Sequence, residues 1–259
     1  MNLSSIFIKA AIAGSLAANF IGILPAIAQV GISPLAIESE AVKGRAQGVL
    51  TVINSSDQPK RVRIYSEPFT FNQNGFVSLS SDPSDLSPYL QFSPREVVIN
   101  AESEQRIRLL GTFPPDFPAG EYRAIIFAEE LRDSSSAEAN VANVSARVGT
   151  TVYMRQGDLS ADLSGISVTP DGSALNLLVQ NSGQATARPM VRWTLLQAGV
   201  EIAKGEEASH TVVTNSDRNI PLTLPEALPA GSYTVSGELV WATLEEPYSA
   251  SFELPVLIP

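Results

Sequence analysis

The sequence contains no cysteine and a single histidine, His210. Without cysteine the chain forms no disulfide and offers no thiolate as a nucleophile or metal ligand. Zinc and redox sites usually need cysteine or several histidines, so one imidazole argues against metal-dependent and thiol-dependent functions. We therefore expect no metal and no cofactor, and we expect stability to come from buried apolar side chains.

Positive charge is scarce. The chain has 17 Lys and Arg against 27 Asp and Glu, a formal net charge of −10. A surface that binds nucleic acid needs clustered basic residues to displace counterions from phosphates. The nearest approach is residues 60–63, Lys-Arg-Val-Arg, whose side chains would alternate between the two faces of a strand. We therefore expect no nucleic-acid partner.

Sustained helical periodicity is also missing. Short runs of alternating apolar residues recur instead, separated by turn signals such as Asn74-Gly75 between Phe71 and Phe76. Strands of this length, spaced by frequent turns, are typical of sandwiches. The sequence predicts an all-β protein with two immunoglobulin-like β-sandwich domains in tandem.

The N-terminus carries one long apolar run. Residues 6–25 contain a single charge, Lys9, and are followed by Ala26-Ile27-Ala28 before Gln29. A small residue, any residue and a second small residue after such a run form a signal-peptidase site. Residues 1–28 are therefore predicted to be a cleavable signal peptide, with a retained anchor helix as the alternative.

Two phrases occur twice in the same order. Pro-Ala-Gly-Glu-Tyr at 118–122 returns as Pro-Ala-Gly-Ser-Tyr at 229–233, and each copy leads into alternating apolar residues. An apolar run ending in Asn-Ser precedes each copy, with its asparagine at Asn54 and at Asn181. The repeat predicts two related sandwich units, residues 29–156 and 157–259. Residues 156–158, Gln-Gly-Asp, break the strand pattern and are the predicted linker.

The end of the first unit has an unusual arrangement. Residues 132–140 are Ser-, Ala- and Glu-rich without apolar periodicity, which predicts a mobile loop. Every second position after this loop is apolar or threonine: Ala142, Val144, Ala146, Val148, Thr150, Val152 and Met154. Alternation alone leaves two interpretations open, because such a strand fills either its own domain's core or the groove of a partner.

Several of these features, in their order, resemble the PapD-like periplasmic chaperones of chaperone-usher pili. The matching features of the first unit are the strand ending in Asn54, Phe-Ser-Pro at 92–94, the alternating Arg-Ile-Arg-Leu at 106–109 and Gly-Glu-Tyr-Arg at 120–123. In the second unit Asn-Ser-Gly at 181–183, followed by Arg-Pro at 188–189, looks like the corresponding turn of that family. The resemblance covers nearly the whole chain after residue 28, and it identifies the chain as a divergent member.

The resemblance implies a bacterial periplasmic protein that is not an enzyme. Such chaperones lend the last strand of their first domain to a pilin subunit that lacks one. Here the partner-binding residues would be Ala142, Val144, Ala146, Val148, Thr150 and Thr151. The implied partners are a pilus or coat subunit and an outer-membrane usher, with self-association through the exposed edge strand as a further expectation.

One feature of the family is missing. Its members anchor the subunit's terminal carboxylate with an arginine and a lysine. By position these fall near Pro34 and on Thr150 or Thr151, none of which is charged. A threonine hydroxyl can still donate a hydrogen bond, but without the Coulomb attraction, so the resemblance implies weaker binding or another cleft residue. Arg45, Arg147 and Arg155 are the candidates.

Two other classes of function were weighed. A structural or adhesive surface protein would bind matrix or polysaccharide at the cell surface, with Trp193 and Trp241 as an aromatic platform; both lie in apolar strands, which favours a core position. A hydrolase would depend on His210, which has no Gly-x-Ser-x-Gly motif nearby. We therefore expect no catalytic site and no small-molecule substrate.

Overall fold

The computed structural model describes residues 29–131, 147–208, 210–242 and 247–259. Apart from one short 3-10 helix, Ser87–Tyr89, its regular elements are all strands. The all-β prediction is therefore confirmed. No helix in these ranges is long and apolar enough to cross a membrane.

Two sheets and a hairpin make up the strands before residue 157. The first sheet has the order β1 (Val30–Ser33), β3 (Arg45–Asn54), β9 (Ser103–Thr112) and β7 (Leu90–Ser93). The second has the order β2 (Ala36–Glu40), β11 (Arg147–Gln156), β10 (Gly120–Leu131), β4 (Lys60–Glu67) and β8 (Glu96–Ile99). The hairpin consists of β5 (Phe69–Asn72) and β6 (Gly75–Ser78).

Two further sheets contain the later strands. One has the order β12 (Leu163–Asp171), β13 (Ala174–Asn181) and β16 (Ser216–Thr223). The other has the order β15 (Val200–Glu207), β14 (Met190–Gln197), β17 (Gly231–Ala242) and β18 (Pro247–Ile258). Within the described ranges no ladder joins a strand of β1–β11 to one of β12–β18. We call these two groups of strands unit one and unit two.

Each unit has its own apolar core between its sheets. In unit one Leu50 and Ile107 of the first sheet face Ile126 and Val152 of the second. In unit two the core includes both indoles, with Trp193 2% and Trp241 7% exposed, as their apolar strands predicted. The alternation read from the sequence thus places one face of each strand inside a sandwich.

The first strand of unit one changes sheets at Pro34. Before it, β1 pairs antiparallel with β3; after it, β2 pairs parallel with β11. A proline donates no hydrogen bond to a ladder, which suits it to the point where the chain leaves one sheet for the other. This switch places β2 against only part of β11.

The two sequence repeats have matching structural roles. The hydroxyl of Tyr122 donates to the carbonyl of Pro118 at 3.1 Å, and that of Tyr233 donates to the carbonyl of Pro229 at 2.8 Å. Both Pro-Ala-Gly-x-Tyr phrases therefore form the tyrosine corner of immunoglobulin-like sandwiches. The units are related in local structure as well as in sequence.

The paired asparagines are buried loop anchors. The Asn54 amide donates to main-chain carbonyls that include Ile99, and its oxygen accepts from the Ser56 amide. The Asn181 amide likewise donates to the carbonyls of Ala185 and Val212. Each side chain bonds main-chain groups of strand ends and the loops beside them, and these bonds explain why an amide occupies a fully buried position.

Replacing either asparagine by alanine is predicted to lower the free energy of unfolding by about 1–3 kcal/mol, because several main-chain carbonyls each lose a hydrogen bond. Gln180→Ala is the matched control, since its exposed amide only reaches Asp217 on the surface. Urea denaturation of the three variants provides the measurement. Equal losses for Asn181→Ala and Gln180→Ala would contradict the assigned role.

Candidate functional site

Strand β11 is covered along only part of its length. It pairs with β10 throughout, from Arg147 opposite Glu129 to Gln156 opposite Gly120. On its other side β2 reaches only from Arg155 back to Thr151, and the N–H of Thr151 donates to the carbonyl of Leu35 at 3.1 Å. No described strand pairs with residues 147–150 on that side. We call residues 147–150 the open edge.

The main-chain groups of the open edge are available to another strand. Main-chain groups point to the same side at every second residue of a strand. Because the N–H of Thr151 points towards Leu35, those of Gly149 and Arg147 point the same way, past the end of β2. A row of unpaired N–H and C=O groups is a template for strand addition. Leu35, at the end of this edge, is 75% exposed.

The two faces of β11 have different surroundings. Val148 packs against the core of unit one, and Val152 and Met154 belong to that core. Thr150 is fully buried on the same face, and its hydroxyl donates to the carbonyl of Pro34 at 2.7 Å. The Thr151 hydroxyl donates to the carbonyl of Leu35 at 3.2 Å. Both threonine hydroxyls therefore hold the strand switch.

Three of the six expected partner-binding residues, Ala142, Val144 and Ala146, lie outside the described residues. Val148 and Thr150 lie at the open edge, and Thr151 is the first residue that β2 covers. One face of the described part of β11, with Val148, Thr150, Val152 and Met154, thus lies towards its own core. The interpretation for residues 142–146 stays a prediction.

The three arginine candidates lie in different surroundings. Arg45 is exposed at the start of β3, opposite Thr112. Arg155 is buried and forms ion pairs with Glu38 and Glu121. Arg147 is the one at the open edge: its guanidinium lies 4.1 Å from the centre of the Phe127 ring, and Nη1 donates to the Tyr65 hydroxyl at 3.2 Å. That hydrogen bond raises the pKa of Arg147, so this side chain stays a cation.

An apolar cluster joins the two units on the outer face of the β10–β11 sheet. Phe69, Ile125, Phe127 and Tyr153 of unit one form one buried cluster with Val213 of unit two. Tyr153 is fully buried, and burial raises the pKa of its hydroxyl. We call these five residues the interdomain cluster.

An ion network lies beside this cluster. The Glu121 carboxylate, whose side chain has no exposed surface, accepts from Arg155 Nε at 3.0 Å and from the Thr186 main-chain N–H at 2.8 Å. It also accepts from the Thr186 hydroxyl. Arg155 Nη2 donates to Glu38 at 2.9 Å and to the Thr186 carbonyl at 3.1 Å, and Arg188 pairs with Glu38. We call these five residues the interdomain network.

Sequence reasoning missed the interdomain network. The sequence feature that could have revealed this network is a charged residue in each of two apolar strands, Glu121 and Arg155. These residues lie directly opposite each other in the β10–β11 ladder. Opposite charges at paired positions stabilise a sheet, but the pairing becomes visible only once the register is known.

Comparisons with known proteins give structural matches only. No protein-family model matches the chain, and no curated protein sequence does. The class 5 fimbriae chaperone CfaA matches with a TM-score of 0.53 at 13% identity, over 89% of this chain and 99% of that one. The YadV chaperone matches with a TM-score of 0.53 at 14% identity, over 88% and 100%.

A third match comes from an assembly. A chain of the CsuC–CsuE chaperone–tip adhesion subunit pre-assembly complex, from the archaic chaperone-usher Csu pili of Acinetobacter baumannii, has a TM-score of 0.51 at 16% identity. The match covers 90% of this chain and 100% of that one. At such identities a match establishes the fold. The chain therefore has the two-domain β-sandwich fold of the fimbrial chaperones, as the resemblance in its sequence predicted.

Proposed function

We propose that this protein is a non-enzymatic periplasmic chaperone that caps a secreted fimbrial or coat-type subunit by donating the strand that continues into β11. The observation that carries the proposal is the open edge at residues 147–150, whose outward main-chain groups have no strand beside them in the described part of the chain. Strand addition at such an edge derives its affinity from main-chain hydrogen bonds.

Side chains would give the interaction its selectivity. Val148, Thr150 and Val152 face the core of unit one. The same alternation, continued backwards along the strand, assigns Ala142, Val144 and Ala146 to this row. The inward-facing side chains of this strand would then fill the chaperone's own core at one end and the core of the subunit at the other. Valine and alanine bury little area at about 25 cal/mol per Å², so main-chain bonds would carry much of the affinity.

Arg147 is the residue that we assign to a terminal carboxylate of the client strand. Thr150 and Thr151 direct their hydroxyls to the carbonyls of Pro34 and Leu35, which leaves them without a hydrogen to donate. The Arg147 side chain is 44% exposed, lies at the open edge and engages Tyr65 and Glu67 through Nη1. A guanidinium has further donors with which to bind a carboxylate.

The proposed setting follows from this role. Residues 1–28 would direct export and be removed, and the mature chain would act in the periplasm on a pilin-like subunit and release it to an outer-membrane usher. Without a client, the open edge offers a route to self-association. The alternative is a structural or adhesive surface module that binds matrix or polysaccharide. Trp193 and Trp241 supply no aromatic platform for it, because both are core residues.

Val144→Asp combined with Val148→Asp is predicted to abolish capture of a coexpressed pilin-like subunit, because an apolar groove would have to accept two carboxylates. The matched control is Val98→Asp with Val200→Asp, the same change at positions 60% and 65% exposed elsewhere. Co-purification measures capture, and circular dichroism checks folding. Val148 also contacts the chaperone's own core, so the double substitution can itself prevent folding. In that case the single variant Val144→Asp provides the test. Undiminished capture by the Val144 variant would overturn strand donation.

Arg147→Gln is predicted to raise the dissociation constant for a subunit peptide with a free terminal carboxylate by roughly fivefold to tenfold, through loss of a charge-assisted hydrogen bond. The amidated peptide should bind both proteins equally. Arg106→Gln, exposed on the opposite sheet, is the control for net charge. Calorimetric titration gives the constants, and an equal loss for both peptides would exclude carboxylate recognition by Arg147.

Glu121→Gln is predicted to lower the free energy of unfolding by about 3–5 kcal/mol. The substitution breaks a buried ion pair and leaves the buried charge of Arg155 with one carboxylate partner fewer. Glu206→Gln, which breaks the exposed pair with Arg192, should cost about 0–1 kcal/mol. Guanidinium denaturation compares the two variants. Similar small losses for both would show that the interdomain network does not stabilise the fold.

A further inference from the structure

The β5–β6 hairpin is a two-stranded sheet that no other described strand joins. It belongs to unit one in sequence, directly after β4, but its turn lies against unit two. The main-chain N–H of Asn219, in β16, donates to the carbonyl of Gln73 at 3.0 Å. A main-chain hydrogen bond thus joins the hairpin turn to a strand of the other unit.

The side chain of Arg218 adds two contacts beside this bond. Its Nη1 donates to the carbonyl of Asn72 at 3.1 Å, and its guanidinium lies 5.7 Å from the centre of the Phe71 ring. This distance is within the range of a cation–π interaction. Burial lowers the pKa of Arg218. Burial also lowers the pKa of His210, and the charge of Arg218 adds to that shift.

The turn that receives Arg218 is internally braced. The Asn72 side-chain oxygen accepts from the main-chain N–H groups of Asn74 and Gly75, at 2.9 and 3.1 Å. Gly75 has φ of +141°, a conformation that L side chains rarely adopt. The Asn-Gly signal in the sequence therefore produces a tight hairpin whose carbonyls at Asn72 and Gln73 are held towards unit two.

The base of the hairpin is anchored in the interdomain cluster. Phe69 is fully buried, and its ring lies 5.8 Å from that of Tyr153 at an interplanar angle of 81°. Phe71 is 5.7 Å from Phe69, also edge to face. The hairpin is thus held at both ends, by aromatic packing at its base and by hydrogen bonds to β16 at its turn.

We propose that the β5–β6 hairpin is a clasp that fixes the orientation of unit two on unit one, with Arg218 as its positioning residue. The interdomain network already joins the units through Glu121, Arg155 and Thr186. The interdomain cluster also joins the units on the β10–β11 sheet through Val213. Relative motion is the default for domains with a small interface. The hairpin turn adds a tether to a different strand, β16, which restricts that motion. The proposal does not depend on strand donation.

The test uses the absence of cysteine. Single cysteines at Val98 of unit one and Val200 of unit two, both exposed, carry spin labels for a distance measurement. We expect a narrow distance distribution in the parent protein and a broader one in Arg218→Met and in Phe71→Ala. Arg192→Met removes a cation from an exposed pair in the same unit and should leave the distribution unchanged.

The outcomes separate the roles of the hairpin. Arg218→Met keeps the aliphatic stem and changes no core residue. It therefore provides the test in the case that Phe71→Ala does not fold. A distribution as narrow as the parent's in a folded Arg218→Met variant would overturn the clasp. Capture of a subunit is a separate readout. A variant that shows a broadened distribution supports the clasp whether or not it still captures a subunit. A parent protein that captures no subunit would count against strand donation and not against the clasp.

Discussion

The buried ion pair between Glu121 and Arg155 is the interaction on which the rest of the structure depends. A carboxylate without exposed surface costs several kcal/mol to bury unless its oxygens are fully engaged. Arg155 supplies one donor and Thr186 supplies two. Since Thr186 belongs to unit two, the charge in unit one is satisfied only when the two units are docked. The pair therefore couples the fold of one sandwich to the position of the other.

The same pair fixes the strand with which we associate function. Arg155 lies near the end of β11, with β10 and β2 on its two sides, and it also holds Glu38 of β2. Arg147 lies at the other end of the strand, where β2 no longer follows. This strand thus has a neighbour on both sides at its covered end, whereas no described strand lies beside its open edge. A template of this kind can pair with an incoming chain without first reorganising, which lowers the entropic cost of binding.

Local signals predicted much of this fold. Period-two alternation identified strands such as β10 and β11, and the apolar surroundings of Trp193 and Trp241 predicted core indoles. Each of these depends on residues a few positions apart. The tyrosine corners and buried asparagines were visible as repeats, although their hydrogen bonds were not.

Contacts between distant residues were beyond such reasoning. Thr186 is 65 residues from Glu121, and Arg218 is 146 residues from Asn72. The charge at Glu121 was part of a noted motif, yet its partner depends on ladder register and on the docking of unit two. The hydroxyls of Thr150 and Thr151 were considered for a carboxylate, whereas the turn at Pro34 brings main-chain carbonyls to them.

The proposed function requires that residues 142–146 enter a subunit as a strand with alternate side chains inward. Its most direct test places single cysteines at residues 142–146 in turn, in a chain that has none of its own, and pairs each with one cysteine in the groove of a coexpressed subunit. Strand donation predicts disulfide cross-links from Ala142, Val144 and Ala146 and none from Asn143 and Ser145. Cross-linking without this two-residue period, or none in a complex that still forms, would contradict it.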